Sequence, residues 1–208
     1  MAGTFIKITI EGTRALIMNK FSDAAALAAS GGTRGSSAAS DRGTPLEIAE
    51  SKIYRDLDNK PCVPAENVLR CIVDGGQFHK IGRTQVTTKE RSLLYACLTI
   101  DAATIPLKHT QPWKVDTRPV VIPATKGRIL AHRPMWDDWA LAFECELDET
   151  IVNRKLLRDI VDDAGKRVGL GDFRPARKGP FGRFVVISWA IKPTAPMKPA
   201  KMREQELV

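Results

Sequence analysis

The sequence predicts an α+β fold: one antiparallel sheet covered on one face by two helices and interrupted by long insertions. Three observations carry this. Strict alternation of apolar residues marks strands at FIKITI (residues 5–10) and WALAFECEL (139–147). Helical apolar spacing follows a strand signal twice, once in each half of the chain. With 208 residues, 43% of them hydrophobic, the chain can bury a core of its own.

In FIKITI, Ile6, Ile8 and Ile10 share one face, and the strand is expected to run on after a bend at Gly12 into ALIM. From Ser22 to Thr44 the composition falls to Ala, Ser and Gly with a few charges, Arg34 and Arg42 among them. So few large apolar groups cannot offset ordering entropy, so 22–44 is expected to be a flexible insertion. It is either a surface loop or an arm that orders on a partner. Pro64 opens a helix, AENVLRCIV, with Val68, Leu69, Ile72 and Val73 as its stripe and Gly75-Gly76 after its end. Residues 92–100, SLLYACLTI, are apolar on both faces and suit a central strand.

Residues 106–135 form a long, basic, proline-punctuated connection with a hairpin expected around Lys126-Gly127. In WALAFECEL, Trp139, Leu141, Phe143, Cys145 and Leu147 face one way. Asp148 and Thr150 then signal a helix cap, followed by Val152, Leu156, Ile160 and Val161 at helical spacing up to Gly165. FVVISWAI (184–191) is expected to be a buried strand, and 192–208 a proline-rich extended tail. Strand, helix, strand, connection, strand, helix, strand is the order of a ferredoxin-like, RRM-like domain, here spanning 1–191. Such a sheet leaves its other face free.

The formal net charge is +8, which favours a polyanionic partner. Its distribution is more informative than its sum. Between Gly165 and Arg183 stand Lys166, Arg167, Arg174, Arg177, Lys178 and Arg183 against a single acid, Asp172. No apolar run reaches the ~18 residues of a membrane span. The N-terminus lacks a secretory layout, so a soluble, cytoplasmic protein is expected. The four cysteines form no C-x-x-C pair and no zinc spacing, so reduced structural thiols are expected.

The charge centres on GLGDFRPARKGPFGR (169–183), which also holds four of the fifteen glycines. A nucleotide P-loop or a dinucleotide fingerprint sits between a strand and a following helix. This segment follows a helix and precedes a strand, and no Lys-Ser/Thr pair closes it, so both are excluded. Glycine lets a phosphodiester backbone lie against open main-chain amides, and arginine adds bidentate contacts. Phe173 and Phe181 interleave with these cations, either to stack on bases or to pack beneath the loop.

A helix, then glycine–apolar–glycine, a basic stretch, closing glycines and a buried strand resembles the glycine-rich loop of the RAMP superfamily of CRISPR-associated proteins. Gly169-Leu170-Gly171 matches the leading pattern; Arg174, Arg177 and Lys178 the basic residues; Gly179 and Gly182 the closing glycines. The spacer is longer than the family's usual one, and the closing pair reads G-P-F-G. Outside this loop the resemblance is topological, resting on the first strand, its insertion and the PCVPAENVLR helix start. The layout is most similar to backbone subunits that coat guide RNA, or to a phage- or plasmid-borne relative.

The resemblance implies a non-catalytic, sequence-independent binder of single strands, RNA favoured over DNA. It would assemble side by side on the strand as a homo-oligomer or ribonucleoprotein subunit. Phosphates would meet Lys166, Arg167, Gly169, Gly171, Arg174, Arg177, Lys178, Gly179, Gly182 and Arg183, with Lys126, Arg128 and Arg133 as secondary contacts. Neither cofactor nor metal is expected. Some members of the superfamily cut RNA, and the candidate bases for that alternative are His79 and His132. A third reading is a scaffolding protein whose basic loop meets an acidic partner. Arg133, Trp136 and Trp113 form either a second basic-aromatic surface or a tryptophan lid over the core.

Overall fold

In the computed structural model, residues 3–21, 43–121 and 127–192 are described. Nearly all of the 22–44 insertion, Lys126 and the tail beyond Lys192 lie outside them. The elements are β1 (Thr4–Gly12), β2 (Leu16–Ile17), α1 (Pro45–Ser51), β3 (Cys62–Pro64), α2 (Ala65–Gly75), β4 (Lys80–Ile81) and β5 (Thr84–Gln85). They continue with α3 (Leu94–Cys97), β6 (Leu98–Thr99), β7 (Thr104–Pro106), β8 (Lys114–Val121), β9 (Arg128–Trp136), β10 (Ala140–Leu147), α4 (Arg154–Asp163) and β11 (Phe184–Lys192).

The fold is α+β with antiparallel sheets. The main sheet has the order β11-β1-β10-β6, and a second is built as β2-β9-β8. β1 pairs with β10 from Thr4↔Leu147 to Glu11↔Ala140, which aligns Ile6, Ile8 and Ile10 with Cys145, Phe143 and Leu141. All six are buried, and each isoleucine contributes about 2 kcal/mol by leaving water. α2 and α4 close this face, with Val68, Ile72 and Val73 from one and Leu157, Ile160 and Val161 from the other.

The opposite face carries Glu11, Glu144 and Glu146 beside Lys7 and Lys192, with Phe5 as its aromatic residue. Three carboxylates repel phosphate. This face is therefore unlike the aromatic platform of an RNA-recognition module.

Four local expectations change. Residues 92–100 form the α3 turn and then the two-residue edge strand β6. Leu94, Cys97 and Leu98 are buried while Tyr95 and Ala96 are exposed, which is helical spacing inside an apolar run. β11 is an edge strand, so Val185, Ile187 and Ile191 are exposed where full burial was expected. The cap of α4 is Asn153, whose side chain accepts from Leu156 N at 2.9 Å, while Asp148 and Thr150 close a separate turn upstream. α4 also does not stop at Gly165: it passes into a π-turn at Ala164–Val168. As expected, the chain after Gly12 resumes in β2, but there it pairs with β9 and so leaves the main sheet for the second.

All four cysteines are free and buried. Burial pushes the Cys71 and Cys145 thiols up to about 12 and Cys97 to about 11, from an ordinary 9.0. A raised folded pKa means the native state holds its proton more tightly than the unfolded chain. The stabilisation is then complete below about pH 9 and is lost as pH rises through the folded values. Stability is expected to fall between pH 9 and about 12, and native protein to leave a thiol reagent unreacted until unfolded. Rapid labelling of native protein at pH 8 would contradict this burial.

Candidate nucleic-acid interface

The segment from α4 to β11 folds as a closed loop. Gly169 N donates to Ala164 O (2.9 Å), and Leu170 N to Gly182 O (2.9 Å), which ties the two ends together. Pro175–Arg177 makes a 3-10 turn, and Arg177, Lys178 and Gly179 amides donate to Arg174 O, Pro175 O and Arg174 O. Two more amides reach the β1–β2 segment: Asp172 N bonds Ile17 O and Gly182 N bonds Ala15 O, each at 2.8 Å.

This accounting changes the role of the glycines. Most of the loop's N–H groups are consumed by its own carbonyls and by β2, so they are not open to a phosphate. The glycines shape the loop instead. At Gly182 (φ +66°) a Cβ would lie 1.8 Å from Leu170 O, and at Gly171 (φ +74°) 2.4 Å from Ile17 O. Gly182→Ala is expected to cost at least about 2 kcal/mol through left-handed strain and the lost loop closure, read as a lower urea midpoint. An unchanged midpoint would show that the loop closes differently.

Beside this loop lies a groove of about 800 Å³ between the second sheet and α2. Gly169, Gly171, Arg174 and Arg177 of the expected set line it. So do Lys20 after β2, Lys52 after α1, and Asn67, Arg70 and Cys71 on one side of α2. Lys20 N donates to Lys52 O (3.0 Å), which brings those two lysines together from distant parts of the chain. Arg174 Nη1 donates to Gly171 O (2.9 Å), so its guanidinium is steadied by the loop. Arg70 pairs with Asp74 one turn on (3.0 Å). Cys71 Sγ donates to Gly169 O (3.3 Å), joining α2 to the start of the loop.

The other expected contacts are dispersed. Lys166 is exposed on the π-turn; Arg167 beside it pairs with Asp163 (3.2 Å) and lies 4.8 Å over the Phe78 ring. Those bonds, with the Arg158–Asp162 pair (3.0 Å), explain why two acids end α4. Lys178 is exposed at φ +60°, and Gly179 and Gly182 serve loop closure. Arg183 is exposed, with its carbonyl bonded to Thr13 N, and Arg128 begins β9 near the end of the β8–β9 hairpin. Lys126 lies outside the described residues.

Arg133, expected as a secondary contact, lines the groove but is largely enclosed by ion pairs. It is 5% exposed, and its guanidinium bonds Asp172 Oδ2 (2.7 Å) and Asp116 Oδ2 (3.4 Å). It therefore works as a tie between the β8–β9 hairpin and the glycine-rich loop. Trp136 is fully buried, with Trp113 packed beside it at 6.5 Å between ring centroids, which is the lid arrangement and not a surface. Arg118 adds a second tie from the hairpin, 4.6 Å over the Phe181 ring. Phe181 is thereby covered, while Phe173, 6.0 Å from it, lines the groove.

Sequence reasoning did not find Lys20, Lys52 or Arg70. Arg70 had a signal: with Asn67 and Cys71 it sits at i, i+3 and i+4 on α2, beside the apolar stripe. Lys20 and Lys52 had none, because only the tertiary fold brings them to the loop. Among the described residues, no group of three or more His, Cys, Asp or Glu side chains is arranged to hold a metal. No helix there is long and apolar enough to cross a membrane.

Fold and groove together define an α+β chain with a cationic cleft bordered by a glycine-rich loop. No family model matches the chain, and no curated protein matches it. Among solved structures it is similar to a chain of the type III-B Cmr-beta complex, determined by cryo-EM bound to cognate target RNA. The TM-score is 0.56 at 13% identity over 93% of this chain, which spans 62% of that chain's length. The likeness is one of fold.

Proposed function

We propose that the protein is a non-catalytic single-stranded nucleic-acid-binding protein of the RAMP type, with RNA favoured over DNA. The observation that carries this is the groove. Five cations, Lys20, Lys52, Arg70, Arg174 and Arg177, line it beside the Arg133–Asp172 ion pair. Cations gathered in a concave, partly desolvated site focus potential and draw in a polyanion. Contact with phosphates falls chiefly to the side chains of Arg174 and Arg177, because most of the loop amides are occupied.

Three further observations support the family reading. The order β11-β1-β10-β6, with α2 between the first and second of these strands in the chain and α4 between the third and fourth, supports a ferredoxin-like arrangement. The glycine-rich loop follows the second of those helices. The structural neighbour belongs to a complex solved with its target RNA, which favours RNA as the ligand here.

None of the three histidines lines the groove. His79 stands by Asp163 (3.1 Å), His109 bonds Gln111 O (2.9 Å) and His132 bonds Thr117 Oγ1 (2.8 Å). That placement supports binding without cleavage. The protein assembles side by side along the strand, as a homo-oligomer or as a subunit of a ribonucleoprotein.

Purification followed by nuclease digestion tests the reading. The expected result is co-purifying nucleic acid sensitive to RNase, and single-stranded RNA that shifts in a gel without being cut. Cleavage abolished by His79→Ala or His132→Ala would establish the endonuclease instead. Protein free of nucleic acid that binds no single strand at low salt would leave the scaffolding role.

A further inference from the structure

The cations of the groove are not equivalent. Arg70 and Arg177 are exposed and form its rim, while Lys20 and Arg174 are half-buried. Lys52 and Arg133 are only 8% and 5% exposed. Backbone hydrogen bonds gather three of these residues from three distant segments. Met18 N donates to Pro134 O (3.1 Å), next to Arg133 on β9, and two residues on Lys20 N donates to Lys52 O (3.0 Å). α1, which Lys52 caps, packs against β8 and β9 and so seats that lysine near the Arg133 strand. Arg133 gives Nη1 to Asp172 and Nη2 to Asp116, while its Nε has no acceptor among the described residues. Charge withdrawn from solvent in this way is screened less than charge at the rim.

We infer that this inner cluster, Lys20 and Lys52 backed by Arg133, takes a phosphate monoester: the terminal phosphate of the bound strand. The inference rests on the proposed binding of a single strand at this groove. An internal phosphodiester carries one charge, two free oxygens and a nucleoside on each side, so it stays with the exposed guanidiniums of Arg70 and Arg177. A terminal phosphate is close to a dianion at neutral pH, has three free oxygens and carries a nucleoside on one side only. It therefore enters end-on, and it gains most from cations that solvent screens poorly. Lysine ammoniums are compact point charges suited to such an end, whereas the rim arginines suit the two-oxygen face of a diester. The strand is then anchored at one end without its sequence being read.

The test is binding of the full chain to one RNA sequence prepared with hydroxyl ends, with a 5′-phosphate or with a 3′-phosphate, each at several salt concentrations. One phosphorylated form is expected to bind about tenfold more tightly than the hydroxyl form at about pH 7.5, the worth of one charged hydrogen bond. That preference is expected to shrink to about threefold at about pH 5.5, because the monoester takes up a proton near pH 6. Of the side-chain types only histidine ordinarily titrates in that window, and no histidine lines the groove. The other ionisable groups there are Asp172, Tyr54 and Cys71. Lys52→Met is expected to bring the two forms to within about twofold of each other, and Lys20→Met, at a half-buried position, to remove part of the preference. Equal affinities of all three forms, or a preference that survives both substitutions, would overturn the end site while steep salt dependence left strand binding standing. A preference of equal size at the two pH values would also overturn it. Displacement by inorganic phosphate as effective as by phosphorylated RNA would overturn the strand as the source of the phosphate. Absence of binding to every form would instead overturn the parent reading.

Discussion

Replacing Arg174 and Arg177 together by alanine is expected to weaken single-strand binding about 100-fold, taking about 1.5 kcal/mol for each charged hydrogen bond lost. The slope of log affinity against log salt should flatten by about 1.4, because each phosphate neutralised on a single strand contributes about 0.7. Both residues line the groove, and the Arg177 side chain has no partner among the described residues. Arg174 also bonds Gly171 O, so its loss loosens the loop as well as removing a charge. The paired lysine variants separate these effects. Arg174→Lys with Arg177→Lys keeps the charge and the salt slope but loses planar bidentate contact, so affinity falls with the slope preserved. Unchanged binding in the double alanine variant would remove the groove as the site.

Arg133→Met is expected to destabilise the fold by about 2–3 kcal/mol through the loss of its charged hydrogen bonds to Asp172 and Asp116. Asp116 is as buried as Arg133, and both Asp116 and Asp172 accept from its guanidinium. Asp116 keeps Arg118 as a partner (2.7 Å), so combining Arg133→Met with Asp116→Asn in a double-mutant cycle measures the coupling of the pair. Urea titration of the single and double variants reads it directly. Because Asp172 belongs to the loop, Arg133→Met should also weaken strand binding by releasing the loop from the hairpin. A variant of wild-type stability would mean that this tie is made and broken without consequence.

Much of the scaffold is legible in the sequence because periodicity is local. Ile6, Ile8 and Ile10 alternate, as do Leu141, Phe143, Cys145 and Leu147, and both sets are buried against the helices. Val68, Ile72 and Val73 keep helical spacing and do the same on α2. Where an apolar run has no polar residues to break it, the period is ambiguous. SLLYACLTI therefore reads as a central strand yet folds as a helical turn and an edge strand. FVVISWAI is apolar enough for a sheet centre but lies at its edge, because nothing in a strand's own residues says how many neighbours it has.

The candidate site divides in the same way. Composition alone placed the positive charge at GLGDFRPARKGPFGR and put it between a helix and a strand, which excluded the nucleotide-phosphate loops. The sequence shows glycines concentrated in this segment, but that they close the loop follows only from the positive φ values at Gly169, Gly171 and Gly182. Only the tertiary structure decided that the loop's amides are spent on itself and on the β1–β2 segment. It also decided that Arg133 is an internal tie and that Lys20, Lys52 and Arg70 complete the groove. The physical reason is that spacing and composition act between neighbours in the chain, whereas burial and ion pairing act between segments that meet only when the two sheets pack.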